Sequence, residues 1–227
     1  MRWRGAPQVR CGAARLSDSV SRETSREVFG SGFAAADRYA QWLTGEGIVR
    51  GLLGPREAER VWDRHLLNSA LIAPWIPQGA RVGDIGSGAG LPGIPVGLAR
   101  SDVSVTLVEP LLRRVRFLDE VVADLRSLLP NDGYAFEVVR SRAEDLIGQR
   151  SFDAVVARAV APLERLVTWT VPLLSETGCL IAIKGSTASE EVTQAAPALA
   201  ALKLTATVET TAHGDATTTV VVVRRHP

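Results

Sequence analysis

Apolar residues in the first third of the chain return at intervals of three and four positions, and this spacing predicts helices. The pattern is clearest in RVWDRHLLNSALIAPW (60–75), where one face carries Val61, His65, Leu66, Ser69, Ala70 and Ala73. GLLGPRE interrupts the pattern, and its proline, Pro55, suits the first turn of a new helix. We therefore expect a helical cap over residues 33–78.

Beyond residue 79 the pattern changes to short apolar runs that alternate with helical segments. The runs predict strands at 80–85, 103–109, 135–140, 152–157 and 178–183. The segments between them predict helices at 92–99, 110–128, 143–147 and 162–175. This alternation favours an α/β fold with a doubly wound, mostly parallel sheet and right-handed crossovers.

The C-terminal segment departs from the alternation. A helix near 187–201 is followed by LKLTATVETT, a turn at HGDA, and TTTVVVVRR. Two strands joined by a tight turn form an antiparallel hairpin. A Rossmann-like, seven-stranded, mostly parallel sheet that ends in such a hairpin is typical of class I S-adenosylmethionine-dependent methyltransferases, so we expect a methyltransferase domain over residues 79–227.

The composition is that of a soluble globular protein, with 46% apolar and 22% charged residues among 227. No apolar run approaches the roughly 18 residues that a membrane span needs. The net charge of +1 creates no overall basic field, so a nucleic-acid partner has to be argued from local patches. The two cysteines, Cys11 and Cys179, and the three histidines are too scattered for a redox motif or a metal site. We expect reduced thiols, no metal, no membrane contact and a cytoplasmic monomer.

The N-terminal segment is rich in arginine. The first 17 residues contain no acidic residue and hold Arg2, Arg4, Arg10 and Arg15. They also lack the apolar region of a secretory signal. We expect a disordered tail over residues 1–32, and an organellar transit peptide or a contact with RNA remains open.

A glycine-rich stretch, VGDIGSGAGLPGIP (82–95), closes the first predicted strand. It contains a literal G-x-G-x-x-G at Gly88, Gly90 and Gly93. On its own this motif is weak evidence for a dinucleotide site. A pyrophosphate needs free N–H groups at the start of the next helix, and Pro92 and Pro95 remove two of them. Asp84, at the end of the strand, would also repel phosphate.

The same stretch suits S-adenosylmethionine, which carries an ammonium group and a sulfonium but no phosphate. The relevant register, D-x-G-x-G-x-G, consists of Asp84, Gly86, Gly88 and Gly90. Glycine lets the backbone pass close to the methionine moiety, and the Asp84 carboxylate could orient its ammonium group. Glu109, at the end of the second strand, could accept the ribose hydroxyls, and Ala143 and Glu144 follow the third strand where the adenine would lie. Taken singly, Asp84 also fits a helix cap or a surface acid, and Glu109 a solvated strand end.

The methyl acceptor is constrained by which chemistries the sequence lacks. After the fourth strand VVARAVAPLE lacks the acidic-or-amide, double-proline and aromatic motif used on exocyclic amines of adenine. Carbon-5 of a pyrimidine needs a cysteine nucleophile, but Cys179 begins an apolar strand and fits a buried small residue better. A ring nitrogen with a free lone pair, such as guanine N7, needs positioning against the methyl group but no general base. The lack of a visible base weakly favours that acceptor.

Basic residues near the predicted carboxyl edge of the sheet are candidates for holding the acceptor. Arg158 and Lys184 end the fourth and fifth strands, where they could contact phosphate or guanine or position the reactants. LLRRVRFLDE supplies further candidate RNA contacts at Arg113, Arg114 and Arg116. Because acidic residues lie nearby, a solvated amphipathic helix face also explains this cluster.

Six segments occur in order along the chain: RHLLNSA, DIGSGAGLPGIP, LVEPLLRRVRFL, RAEDL, ARAVAPL and AIKG. Together they resemble the glucose-inhibited division protein B family, the small-subunit rRNA guanine-N7 methyltransferases, and most of all its actinobacterial members, over roughly residues 35–225. GSGAGLPGIP is quite specific, because its prolines are rare among other methyltransferases. The resemblance implies a bacterial cytosolic enzyme that uses S-adenosylmethionine to methylate N7 of one guanine in 16S rRNA of the small ribosomal subunit. Loss of the family's activity is associated with low-level streptomycin resistance.

The resemblance also implies roles for particular residues. Matched positions place cofactor contacts at Gly86, Leu91, Ala143, Glu144 and Arg158. Arg158 thereby moves from the RNA side to the cofactor side. His65 falls in the RH element, where a hydrogen-bonded structural histidine and a functional one both remain open. The chain departs from the family at Asn68, where aspartate is common, and at Pro110, where serine is usual.

Three alternatives remain. The first is a class I methyltransferase that acts on a small molecule or a protein. The second is an NAD-dependent oxidoreductase, and the third is a non-catalytic RNA-binding module that has kept the fold.

Overall fold

The computed structural model describes residues 22–129 and 134–226. Most of the predicted arginine-rich tail, with Cys11, lies outside these ranges. For residues 22–32 the tail prediction is wrong, because helix α1 (Arg22–Phe29) and a 3₁₀ turn (Gly30–Gly32) occupy them. Phe29 is buried and its ring meets that of Trp62 edge-on, with 6.2 Å between centroids. This contact attaches α1 to the cap.

The rest of the N-terminal region is helical, as predicted. Its elements are α2 (Phe33–Trp42), a π-helical turn (Leu43–Gly47), a 3₁₀ turn (Pro55–Arg60), a π-helical stretch (Val61–Leu67), α3 (Asn68–Ala70) and a 3₁₀ turn (Ala73–Trp75). Pro55 occupies the first turn of its element, where its missing N–H costs no hydrogen bond. Among the described helices none is long and apolar enough to cross a membrane.

The remainder is built on a seven-stranded sheet with the order β3-β2-β1-β4-β5-β7-β6. The strands are β1 (Arg81–Ile85), β2 (Ser104–Val108), β3 (Ala135–Val139), β4 (Phe152–Arg158), β5 (Leu174–Lys184), β6 (Leu204–His213) and β7 (Ala216–Arg225). The first five pair in parallel, and β7 is antiparallel to both β5 and β6. The predicted parallel sheet with a C-terminal antiparallel hairpin is confirmed.

Helices cover both faces of the sheet. They are α4 (Gly93–Ala99), α5 (Leu112–Arg126), α6 (Leu163–Thr170) and α7 (Ala188–Ala201), and the helix predicted at 143–147 is a 3₁₀ turn (Glu144–Leu146). The cap packs with α4 and α5 on one face, and α6 and α7 pack on the other. Along β4, Val156 packs on the face covered by the cap, α4 and α5, and Val155 packs on the face covered by α6 and α7. Strands buried on both faces explain the continuous apolar runs in the sequence.

Acidic residues of α5 hold the cap against the sheet domain. Asp124 accepts hydrogen bonds from Arg38 Nε and Trp42 Nε1, both at 2.6 Å. Glu120 receives a bidentate pair from Arg50, at 3.1 and 2.6 Å. These acids, which the sequence pattern could not distinguish from a solvated face, therefore join the cap to the sheet domain.

A close backbone approach between α4 and the start of α2 provides a test of cap docking. A Cβ at Gly32 would lie 2.1 Å from the carbonyl oxygen of Leu98, whereas a Cβ at Gly45 would meet nothing within 4 Å. We expect Gly32→Ala to lower the free energy of unfolding by about 1–3 kcal/mol, because backbone has to move. Gly45→Ala should leave it unchanged or raise it by up to about 1 kcal/mol. Urea unfolding of both variants measures the difference, and equal losses would contradict the proposed tight contact.

Candidate active site

The glycine loop, residues 86–92, leaves β1 at the carboxyl edge of the sheet. Gly86, Gly88 and Gly90 have φ values of +72°, +62° and +101°, a region that side chains disfavour. β1 lies between β2 and β4, so the loop emerges where the strand order reverses direction, the usual ligand position in open α/β sheets. The cap contributes Tyr39, a fully buried side chain whose hydroxyl donates to Ala89 O at 2.8 Å.

The carboxylate of Asp84 lies directly beneath this loop and is completely buried. Its Oδ2 accepts hydrogen bonds from Ser87 Oγ at 2.5 Å and from the Gly93 N–H at 3.0 Å. Its Oδ1 has no hydrogen-bond partner among the described residues. Burial raises the pKa of Asp84 to about 7, and the neighbouring charge of Glu109 adds to the rise. Asp84 is therefore not a surface acid: its carboxylate is buried under the glycine loop and is hydrogen-bonded to both ends of it.

The start of α4 offers no phosphate cradle. The N–H of Gly93 is used by Asp84, and that of Ile94 donates to Gly90 O at 2.8 Å. Pro95 has no N–H, and Val96 already donates to Pro92 O at 3.1 Å. A pyrophosphate would find no free donor in this first turn. The structure thus supports the inference, drawn from Pro92 and Pro95, that this turn does not bind the pyrophosphate of a dinucleotide.

Glu109 follows β2 and is almost completely buried, so it is not a solvated strand end. Its Oε2 accepts the N–H of Gly88 at 3.0 Å, and its Oε1 accepts the N–H of Leu111 at 2.9 Å. Arg114 approaches the same carboxylate at 3.5 Å. Arg114 therefore lies on the side of the glycine loop, whereas Arg113 and Arg116 of the same predicted cluster are exposed.

These residues fit a nucleoside-bearing ligand that has no phosphate and carries a positive charge. Asp84 Oδ1, unpartnered within the described chain, is a buried acceptor beneath the loop, and the backbone of Gly86 lies so close to Val160 that a Cβ there would be 3.0 Å from it. Leu91, half-buried, packs against the core below the same loop. Ala143 and Glu144 follow β3 at the same edge of the sheet, with Ala143 buried and Glu144 exposed. The predicted cofactor residues thus lie after neighbouring strands, along one edge.

Arg158 ends β4, and the cap supplies its hydrogen-bond acceptors. Its Nη1 donates to Arg64 O and to Ser69 Oγ, both at 3.3 Å, and its Nη2 donates to His65 Nδ1. On the far side of the ring, His65 Nε2 lies 2.9 Å from Glu57 Oε2. Burial lowers the pKa of Arg158 from its usual value. Sequence reasoning left the role of His65 open and missed Glu57, which lies in the 3₁₀ turn directly before the π-helical stretch that contains His65.

Lys184 ends β5 and is directed at the protein itself. Its Nζ donates to Ala161 O at 3.0 Å and to Glu191 Oε2 at 2.6 Å. The same carboxylate oxygen accepts the N–H of Leu163 at 3.1 Å. Lys184 and Glu191 thereby hold the connection between β4 and α6, in which Ala159 has a φ of +52°. Glu191 was not among the predicted site residues.

A cavity of about 670 Å³ opens between the cap and the carboxyl ends of β4 and β5. Its lining includes Arg64, Asn68, Arg158, Lys184, Glu191 and Gln194. A larger cavity, of about 990 Å³, lies at the opposite edge, where β1 to β4 begin, and none of the predicted site residues lines it. The smaller cavity is therefore the one that adjoins the predicted site. Within the described ranges, His, Cys, Asp and Glu form no group of three that could hold a metal ion.

A family model described as rRNA small subunit methyltransferase G (GidB) matches residues 33–219. The chain belongs to this family. A ribosomal RNA small subunit methyltransferase G from Nocardioides sp. is 53% identical over 192 residues, which cover 82% of this chain and 74% of the relative. The protein of the same name from Mycolicibacterium gilvum is 51% identical over 183 residues, covering 79% and 78%. The resemblance read from the sequence is thus confirmed, and this member of the rRNA small subunit methyltransferase G family is a methyltransferase.

Solved structures of distant proteins share the fold of this family member. A ribosomal protein L11 methylase from Lactobacillus delbrueckii subsp. bulgaricus aligns with a TM-score of 0.52 and 20% identity, over 70% of this chain and 78% of that chain. An S-adenosylmethionine-dependent O-methyltransferase from Thermotoga maritima aligns with a TM-score of 0.51 and 13% identity, over 70% and 64%. The predicted class I methyltransferase fold is confirmed.

The buried carboxyl of Asp84 predicts an unusual dependence of stability on pH. Its folded pKa of about 7 lies above the ordinary value of 3.8, so its contribution to stability is present at low pH and is lost as the pH rises toward 7. We expect the melting temperature of the wild type, relative to that of Asp84→Asn, to fall between about pH 5 and about pH 8. Thermal melts of the ligand-free proteins at both pH values measure this change.

Asp153 provides the matched control. The hydrogen bond from Arg81 lowers its pKa to about 2, so its contribution is already constant over the same interval. Asp153→Asn should therefore shift the melting temperature by the same amount at both pH values. If the difference between wild type and Asp84→Asn is also independent of pH, Asp84 does not titrate as described.

Proposed function

We propose that this chain transfers a methyl group from S-adenosylmethionine to N7 of a guanine in 16S rRNA of the small ribosomal subunit. The observation that carries the proposal is the glycine loop, with Asp84 Oδ1 unpartnered within the described chain and no free N–H in the first turn of α4, in a chain of the rRNA small subunit methyltransferase G family. The substrate follows the names of the relatives, and the loop explains why their cofactor would bind here.

The cofactor side of the site comprises residues after β1, β2 and β3. Bound S-adenosylmethionine supplies an electrophilic methyl group on its sulfonium. The backbone of the glycine loop, from Gly86 to Leu91, would hold the methionine moiety, and the buried carboxylate of Asp84 below would favour a cationic ligand. Glu109 retains acceptor capacity for ribose hydroxyls beyond its two backbone bonds. Ala143 and Glu144 would contact the adenine.

The acceptor side is the cavity at the ends of β4 and β5. Such a cavity takes a base that has been extruded from its strand. Bound S-adenosylmethionine would supply the methyl group, and because guanine N7 carries a free lone pair, no residue of this chain would have to remove a proton. Catalysis then rests on holding the base in line with the methyl group. Arg158, predicted as a cofactor contact, also lines this cavity and can therefore contact either reactant.

RNA outside the cavity would be held by basic side chains on the same edge. Arg113 and Arg116, exposed at the start of α5, are suited to phosphate contacts. Arg114 and Lys184, also predicted as RNA contacts, already have partners in Glu109 and Glu191. We assign the main phosphate contacts to Arg113 and Arg116, and contacts by the other two would be additional to these ion pairs.

The decisive experiment is methyl transfer to small subunits from a strain that lacks the enzyme. We expect purified protein and labelled S-adenosylmethionine to modify one guanine of 16S rRNA, and mapping of the product should place the methyl group on N7. Subunits from a strain that carries the enzyme are the control and should accept no label. Unmodified guanine in the undermethylated subunits, or label on a protein, would overturn the proposed substrate.

Gly86 tests the cofactor side separately. Valine at this position would adopt a φ of +72° and meet Val160 at 3.0 Å, so the loop has to move. Because such strain costs roughly 1–3 kcal/mol, we expect Gly86→Val to bind S-adenosylmethionine at least about tenfold more weakly while the fold persists. Titration calorimetry measures the affinity, and circular dichroism follows the fold. Gly45→Val, in open space, should bind as the wild type does; unaltered affinity in Gly86→Val would refute the assignment of the loop.

A further inference from the structure

Arg158 is a site residue whose orientation is set by the other part of the molecule. Its three described hydrogen bonds all go to the cap segment that contains Arg64, His65 and Ser69. The guanidinium is planar and its N–H groups point in fixed directions. Three bonds on Nη1 and Nη2 therefore also fix where the remaining N–H groups point. Within the described chain these remaining donors, on Nε and Nη2, have no partner, and Arg158 lines the acceptor cavity.

The chemistry of His65 makes it the most constrained of these three acceptors. Arginine can only donate, so His65 Nδ1 has to accept and its proton has to reside on Nε2. The Nε2–H then donates to Glu57 at 2.9 Å, which prevents the ring from flipping. The ring is buried, with 5% of its residue surface exposed, and a protonated ring would place two donors face to face. Neutral His65 in one tautomer is the state that this geometry requires.

Burial and the neighbouring guanidinium groups keep His65 neutral, against the pull of one carboxylate. Arg158 from β4 and Arg64 from the cap oppose its protonation, while Glu57 favours it. Burial outweighs the carboxylate and lowers the pKa of His65 to about 4. Asp84 and Tyr39 face Arg158 from β1 and α2. His65 consequently stays a hydrogen-bond acceptor at neutral pH.

We propose that His65, held by Glu57, is a positioning residue that orients Arg158 and makes methyl transfer depend on the docked cap. The inference rests on the proposed function, because it takes Arg158 to contact the cofactor or the acceptor base. It gives the helical cap a part in the reaction beyond covering one face of the sheet. Since in-line transfer depends on alignment, a small rotation of the guanidinium is sufficient to slow it.

The test compares His65→Leu, which removes the acceptor and keeps the bulk, with His65→Asn, which keeps an acceptor near the position of Nδ1. Arg158→Lys serves as the reference for loss of the guanidinium. His213→Leu is the matched control, because His213 Nε2 also lies 2.9 Å from a glutamate, Glu27, but within the described chain His213 makes no hydrogen bond to Arg158. For each variant we would measure the affinity for S-adenosylmethionine, kcat and KM with undermethylated small subunits, and the thermal melt.

We expect His65→Leu to lower kcat/KM at least about tenfold. The loss should appear in whichever of kcat and KM is changed by Arg158→Lys, and His65→Asn should recover part of it. His213→Leu should retain wild-type kinetics. The inference fails if His65→Leu keeps wild-type kcat and KM. It also fails if His65→Asn recovers none of the lost kcat/KM although it melts as the wild type does. The hydrogen-bond acceptor at the position of Nδ1 would then not be what orients Arg158.

If His65→Leu folds poorly, Glu57→Ala provides the second test. This change removes the acceptor of the His65 Nε2–H and the ion pair with Arg64, and it frees the ring to flip, so we expect an intermediate loss of kcat/KM and a modest fall in the melting temperature. Wild-type kinetics in Glu57→Ala would overturn the role of Glu57. If the wild type itself modifies no guanine, the proposed function fails, and the affinity for S-adenosylmethionine decides the inference: His65→Leu has to weaken it as Arg158→Lys does.

Discussion

A carboxylate that is completely buried beneath the glycine loop is the constraint on which the candidate site depends. Removing the charge of Asp84 from water is costly, and the protein offsets the cost with two hydrogen bonds to a single oxygen. Those same bonds fix Ser87 and the start of α4, and so determine the path of the loop between them. Within the described chain the second oxygen has no hydrogen-bond partner, so it remains an uncompensated buried acceptor.

The arrangement of strands explains why such different residues meet at one edge. The parallel strands β1, β2, β4 and β5 all end there, so their last residues and following turns carry Asp84, Glu109, Arg158 and Lys184. Each of these charged groups is hydrogen-bonded to protein atoms. The bonds of Asp84 stay within the segment after β1, whereas Glu109 reaches the glycine loop, Arg158 the cap, and Lys184 the β4–α6 connection and α7. Low dielectric surroundings strengthen such polar groups when they are paired.

The sequence was most informative where local chemistry determines structure. Glycines at positive φ, prolines at a helix start and alternating apolar runs led to the loop, the strands and the hairpin because each signal acts over a few residues. α1 escaped prediction because RETSREVF is mostly polar, and burial of Phe29 depends on Trp62 far along the chain. The directions of Arg114 and Lys184 depend on Glu109 and Glu191, partners that only the folded chain selects. For the same reason the sequence predicted that Asp84 lies next to the loop, but not that its carboxylate is buried beneath it.

The bond from Tyr39 to the carbonyl oxygen of Ala89 has a genetic consequence. Because a residue of the N-terminal cap helps to shape the loop after β1, the set of substitutions that abolishes activity extends well outside the glycine motif. Inactivating alleles should then be scattered over the first third of the gene as well as around the motif. A gene that encodes an intact glycine motif can therefore still be a null allele.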